Sequence, residues 1–162
     1  MARDAIVAPT AFIGGPCIID HGAEVRHGAY IREKAIVGKG AVVGNSTELK
    51  NVILFDRAQA PHYNYVGDSV LGYHAHLGAG AITSNLKSAE SNIVVHDDPP
   101  LATGRRKLGA ILGDEAEIGC QCVLNPGTVI GRGARVYPLS SVRGVVPARH
   151  IYKSRDEIVP IR

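Results

Sequence analysis

The chain has 162 residues and a formal charge of +3, with 45% hydrophobic but only 5% aromatic side chains, 19 Gly and no Trp. That length suits one domain, and a core so poor in rings must be built from Val, Ile, Leu and Ala, which argues against a helical bundle or an aromatic-rich sandwich. The charges are dispersed, so no basic face for nucleic acid is visible, and no apolar run approaches the roughly 18 residues of a membrane span. Met1-Ala-Arg-Asp4 lacks the apolar stretch of a secretory signal, so the expected location is cytoplasmic and Asn45-Ser-Thr47 reads as a coincidental sequon. The 3 Cys are an odd number and form no disulfide framework.

From the N-terminus a six-residue beat runs through Val7, Ile13, Ile19, Val25, Ile31, Val37, Val43 and Leu49. Four positions after each of the first seven stands a small side chain: Ala11, Cys17, Ala23, Ala29, Ala35, Ala41 and Thr47. Leu54, Ala60, Val66, Leu71 and Leu77 continue the beat with one-residue slips. It returns at Leu112, Ile118, Leu124, Ile130, Val136 and Val142, with Ala116, Cys122, Thr128, Ala134 and Ser140 behind the first five. A period of six matches neither helix nor alternating strand. It predicts an all-β parallel β-helix of hexapeptide repeats. Each hexapeptide gives one short strand and a tight turn, three make a coil, and aliphatic side chains fill a triangular prism. The beat stops over about residues 86–109, where an excursion loop is expected, and fades after Pro147. Residues 1–147 should therefore form the prism, and 148–162 an extended tail or a short closing helix.

This frame reassigns several motifs. The glycines of Gly38-Lys-Gly40-Ala-Val-Val-Gly44 fall on turns with no strand-to-helix change after them, so they do not read as a phosphate loop. Cys17 and Cys122 take the small inward slot and read as buried thiols rather than metal ligands. His74-Ala-His76 turns two imidazoles outward. No metal site is expected.

The chemistry-bearing stretch lies around the slips. Arg32 follows the beat residue Ile31 and Lys50 follows Leu49, eighteen residues or one coil apart, so the two cations should stack as a phosphate-binding pair. His62 follows Pro61, twelve residues beyond Lys50, and belongs to another face. A site joining all three closes most simply between neighbouring prisms.

The run Glu48-Leu-Lys50, Ala60-Pro-His62-Tyr-Asn-Tyr65-Val-Gly-Asp68, Gly78-Ala-Gly80 and Asn85 resembles the hexapeptide-repeat acyltransferase family. It is similar to the acetyltransferase domain of the bifunctional bacterial enzyme that makes UDP-N-acetylglucosamine. It is more similar still to UDP-N-acetylglucosamine pyrophosphorylase-related, sugar-nucleotidyltransferase-like proteins. The likeness runs over residues 7–147. It implies a left-handed prism and CoA-dependent N-acetyl transfer to an amino-sugar phosphate of glucosamine-1-phosphate type, or to a nucleotide-linked amino sugar. The resemblance assigns His62 as general base and Arg32 and Lys50 to the phosphate. Tyr65, Asn85 and His76 fall to the sugar, with His76 standing where the family has a second Asn. Acetyl-CoA is expected beside Ala79, Lys107, Cys120 (a serine in the family) and Pro138. A homotrimer with sites between subunits is implied too. Two other readings accompany it: a non-catalytic sugar-nucleotide-binding or trimerising module, and a metal enzyme like the prism-shaped carbonic anhydrases.

Overall fold

The computed structural model describes residues 1–161, and every regular element among them is a β-strand. Most strands are two or three residues long, because the repeat allows no more before the next turn. In each, small and aliphatic side chains alternate inward across an outward residue: Ala23 and Val25 are buried and Glu24 between them is not. The strands stack in parallel into a left-handed β-helix of about eight turns. A 9-stranded sheet makes the first face, and an 11-stranded sheet bends around a corner to make the second and third.

The first face carries Ile6–Val7, Glu24–Val25, Val42–Asn45, Gln59–His62, His76–Leu77, Glu117–Ile118 and Arg135–Val136. The second carries Phe12–Ile13, the openings of the long strands Tyr30–Val37, Glu48–Leu54 and Tyr65–Leu71, then Ile82–Thr83, Val123–Leu124 and Ser141–Val142. The third carries Cys17–Ile19, the closing halves of those long strands, then Ala110–Leu112, Thr128–Ile130 and Val145–Val146.

One column of aliphatic side chains from Ile19 to Val146 fills the prism, each nearly inaccessible. Each fully buried Val, Leu or Ile contributes about 1.5–3 kcal/mol relative to exposure. Val7, Ile13 and Cys17 are only half-buried, because the first coil has a neighbour on one side alone. Cys122 is buried as its slot requires, its thiol pushed up by desolvation, whereas Cys120 points outward. Thr47, Asn64, Ser69, Thr83 and Thr128 occupy inward positions, and no buried side-chain nitrogen or oxygen among the described residues lacks a partner.

The two slips fall at one corner. Three residues (Arg32, Glu33, Lys34) separate Ile31 from Ala35. Only two (Lys50, Asn51) separate the matching Leu49 and Val52, and two (Gly67, Asp68) separate Val66 and Ser69. The shortened turns place Asn51 and Asp68 at φ of 53° and 48°. In the next coil the same corner opens into the excursion, which leaves after Asn85 and returns at Leu108, whose N–H donates to Asn85 O at 3.1 Å. The excursion folds back antiparallel on itself, Val94–Val95 against Leu101–Ala102, and buries Ile93. The chain end is a hairpin rather than a helix. His150–Ser154 adds in parallel to Arg135–Val136 and pairs antiparallel with Glu157–Pro160, with Tyr152 closing the prism. No helix among the described residues is long and apolar enough to cross a membrane.

Candidate functional site

The corner between the first and second faces carries His62. Its strand ends on His62 itself, and the turn continues through Tyr63, at φ 39°, into Asn64. Asn64 sits in the inward slot that Ala, Thr, Cys or Ser fills elsewhere and is 2% exposed. Its Oδ1 accepts the His62 N–H at 3.1 Å, and its Nδ2 donates to Gly78 O at 2.9 Å and Ala81 O at 3.1 Å. One buried amide thus ties the His62 turn to the turn stacked above it. The imidazole itself is exposed and makes no hydrogen bond among the described residues. Directly below, Gly44 leaves room for the turn: a Cβ there would lie 1.6 Å from Pro61 O.

Above His62 the same corner repeats coil by coil. Gly80 N–H donates to His62 O at 3.0 Å, Gln121 N–H to Ala79 O at 2.8 Å, and Leu139 N–H to Cys120 O at 2.9 Å. His62, Ala79, Cys120 and Pro138 therefore form one column along the prism, a coil apart at each step. Parallel strands are spaced about 4.8 Å apart, so the column is a straight track from the imidazole toward the C-terminal end.

The opposite edge of the second face carries the cations. Arg32 Nη1 donates to Glu48 Oε1 at 3.0 Å, and Lys50 Nζ lies 3.3 Å from Asp68 Oδ2. The Glu48 hydrogen bond raises the Arg32 pKa against a smaller desolvation effect. Asp68 also accepts from Asn51 Nδ2 at 2.7 Å and from Asn85 Nδ2. Burial alone would push the Asp68 carboxyl up; the Asn51 and Asn85 hydrogen bonds and the Lys50 ammonium outweigh it and hold the pKa below the ordinary value. Asn85 reaches Tyr65 as well, donating to its phenolic oxygen at 3.3 Å. Tyr65, Asn85, Asp68, Asn51 and Lys50 thus form one network. Behind it, Ser69 Oγ accepts the Ala110 N–H at 3.0 Å and lies 2.9 Å from Thr83 Oγ1, fixing where the excursion rejoins the prism.

The expected residues accordingly sort into two sets within one chain. Arg32, Lys50, Tyr65 and Asn85 come together at the cation corner. His62, Ala79, Cys120 and Pro138 come together at the other. Lys107 bridges back to Leu86 at the cation corner, apart from the three cofactor candidates with which the resemblance groups it. His76 belongs to neither set: it faces outward from the first face, where its Nδ1 lies 2.9 Å from Glu117 Oε2. Among the described residues no group of three or more His, Cys, Asp or Glu converges as a metal-binding set.

Asn64 and Asp68 were not among the expected site residues. The signal for Asn64 was an amide in a slot reserved for small side chains. For Asp68 it was its place one residue past a slip.

Comparison with known proteins agrees with this architecture. A bifunctional protein GlmU of Methanococcus maripaludis is 34% identical over 115 residues, covering 71% of this chain and 28% of that protein. A bifunctional sugar-1-phosphate nucleotidylyltransferase/acetyltransferase of Sulfurisphaera tokodaii is 37% identical over 94 residues, covering 57% of this chain and 23% of that protein. The chain thus spans under a third of the length of these curated relatives. A hexapeptide transferase family protein from Anaplasma phagocytophilum superposes with a TM-score of 0.65 at 15% identity, covering 99% of this chain and 77% of that one. PerB from Caulobacter crescentus, solved with CoA and GDP-perosamine, superposes with a TM-score of 0.54 at 18% identity, covering 92% of this chain and 50% of that one. The model of the GMPPB C-terminal domain matches residues 13–103. The chain is a member of the GMPPB C-terminal domain family, folded as a hexapeptide-repeat left-handed β-helix.

Proposed function

We propose that the chain is a CoA-dependent N-acetyltransferase acting on an amino-sugar phosphate or a nucleotide-linked amino sugar, working as a cytoplasmic homotrimer with its sites between copies. The observation that carries this reading is His62: an exposed imidazole with no hydrogen-bond partner among the described residues, its turn braced by a buried amide, at the foot of a straight column of turns. An imidazole changes protonation near neutral pH and suits general-base work there. The substrate amine, in its neutral form, adds through its nitrogen lone pair to the thioester carbonyl of acetyl-CoA, and His62 takes one N–H proton from that nitrogen as the C–N bond forms. Collapse of the tetrahedral intermediate forms the amide and breaks the C–S bond, and the imidazolium returns the proton to the departing thiolate. Acetyl-CoA lies along Ala79, Cys120 and Pro138, which sets its carbonyl beside His62, and this alignment supplies much of the acceleration. The Sulfurisphaera relative carries an acetyltransferase in its name and PerB was solved with CoA, which supports this choice of donor.

Arg32 and Lys50 hold the acceptor phosphate, while Tyr65 and Asn85 orient its sugar. Both cations already pair with carboxylates, so phosphate binding exchanges Glu48 and Asp68 for a more highly charged acceptor of the same hydrogen bonds. Because the two corners stand at opposite edges of one face, a second copy must bring its His62 to these cations. The outer side of the third face offers the contact. Ile18, Ile36, Ile53, Val70, Ile111, Val129 and Val145 pair in register along it as one apolar ladder, the kind of patch that marks an interface.

The paired state of Arg32 and Lys50 is what favours the second reading, a non-catalytic sugar-nucleotide-binding module. A thiol-release assay with acetyl-CoA and either glucosamine-1-phosphate or a nucleotide-linked glucosamine separates the two. The acetyltransferase reading expects turnover with one of these acceptors. Absence of turnover together with absence of CoA binding by calorimetry leaves only the module.

A further inference from the structure

One cavity belongs to neither corner set. It lies toward the C-terminal end of the prism, has a volume of about 700 Å³ and is lined by His96, Asn125, Ser141, Arg143, Tyr152 and Arg155. Three separate parts of the chain build it: the excursion, the last coils of the second face and the closing hairpin. The excursion is seated there by close packing. Ile93 is fully buried against Gly127, and His96 lies over Gly144, where a Cβ would stand 2.8 Å from His96 O. The hairpin side is fixed as well, since Tyr152 is buried and its hydroxyl donates to Ser141 O at 3.1 Å. Asn125 Nδ2 donates to Ser141 Oγ at 3.0 Å and Val142 O at 2.8 Å, which holds the floor.

The charges in this cavity are of one sign. Arg143 and Arg155 both line it, and neither pairs with a carboxylate among the described residues. His96 adds a third nitrogen donor. Asp97 and Asp98 follow His96 and Asp156 follows Arg155 in sequence, yet none of the three lines the cavity. Elsewhere on the prism the pattern differs: the cavity of about 440 Å³ around Arg132 and Arg149 contains Asp114 and Glu115. Two guanidinium groups over a polar floor, in a cavity within the ligand-binding range of about 300–1,000 Å³, match a multiply charged phosphate, which accepts forked hydrogen bonds from Arg.

We propose that this cavity is a phosphoanion site, built to take a diphosphate group and held by Arg143 and Arg155 with His96 beside them. The site stands on the cavity and its charges alone and does not depend on acetyl transfer at His62. Inorganic pyrophosphate is the probe, measured by calorimetry and by broadening of its phosphorus resonance. Pyrophosphate should bind the full chain, more weakly as salt rises. The double substitution Arg143→Ala/Arg155→Ala should weaken that binding about tenfold or more, while Arg143→Lys/Arg155→Lys should keep part of it. Arg132→Ala should leave it unchanged. CoA, dephospho-CoA and UDP-N-acetylglucosamine then identify the source of the diphosphate, and preference for any one of them supports the site. Absence of pyrophosphate binding, or binding equal in wild type and the Arg143→Ala/Arg155→Ala variant, overturns it. Both arginines are exposed, so unchanged thermal unfolding of the variants confirms that any loss is local.

Discussion

His62→Ala is expected to lower kcat for acetyl transfer by about 10²–10⁴-fold, the usual contribution of a positioned general base. KM for the acceptor should change little, because the phosphate and sugar contacts proposed above come from the other corner. The melting temperature should stay near that of wild type, since the imidazole is exposed and makes no hydrogen bond among the described residues. Steady-state kinetics with the thiol-release readout, beside a thermal unfolding curve, checks all three. Activity of His62→Ala equal to wild type would remove the base assignment while leaving the fold intact.

Gly44→Ala should have the opposite profile, with stability and activity lost together. A Cβ at this position meets Pro61 O at 1.6 Å, Pro61 Cα at 2.4 Å and no flexible side chain that could yield. Overpacking of a tight interior costs about 1–3 kcal/mol, and here the atoms to be displaced are the backbone immediately before His62. The melting temperature should fall by several degrees, as about 1–3 kcal/mol implies for a chain of this size. Transfer activity should fall as well, even at temperatures where the variant remains folded. A Gly44→Ala protein with wild-type unfolding and wild-type kinetics would mean that the His62 turn is not held by this stacking.

The six-residue beat made the prism legible because a solenoid repeats one environment. Once Ala23 and Val25 point inward, Ala41 and Val43 must do the same eighteen residues later. The slips were visible too, and their meaning became clear only from register. Deleting one residue between Leu49 and Val52 tightens one corner without moving the faces, and that corner holds Lys50 and then Asp68.

What the beat cannot carry is side-chain pairing across coils. Glu48 on Arg32 and Asp68 on Lys50 depend on rotamers and on the neighbouring rung, so two cations that look free in sequence are each neutralised in the fold. Asn64 was hidden for a related reason. In sequence it is one polar residue in a turn-rich stretch, and its role appears only when the turn of Gly78–Ala81 is laid over it. Lys107 shows the limit of reading across an excursion. A segment with no beat gives no face assignment, and only the structure places Lys107 beside Leu86 at the cation corner. The closing hairpin lies past the beat as well, and its pairing comes from backbone hydrogen bonds between His150–Ser154 and Glu157–Pro160.

The central claim is that acetyl transfer takes place between copies, with His62 from one chain and Lys50 from the next. Complementation tests it most directly. His62→Ala and Lys50→Ala chains are denatured, mixed in equal amounts and refolded together, and assembly is followed by native mass spectrometry. Heterologous interfaces in a random trimer carry both wild-type residues in about one case in four. The mixture should therefore recover roughly a quarter of wild-type turnover, although each variant alone is nearly inactive. Mixed trimers with no more activity than the separate variants would contradict a site shared between chains.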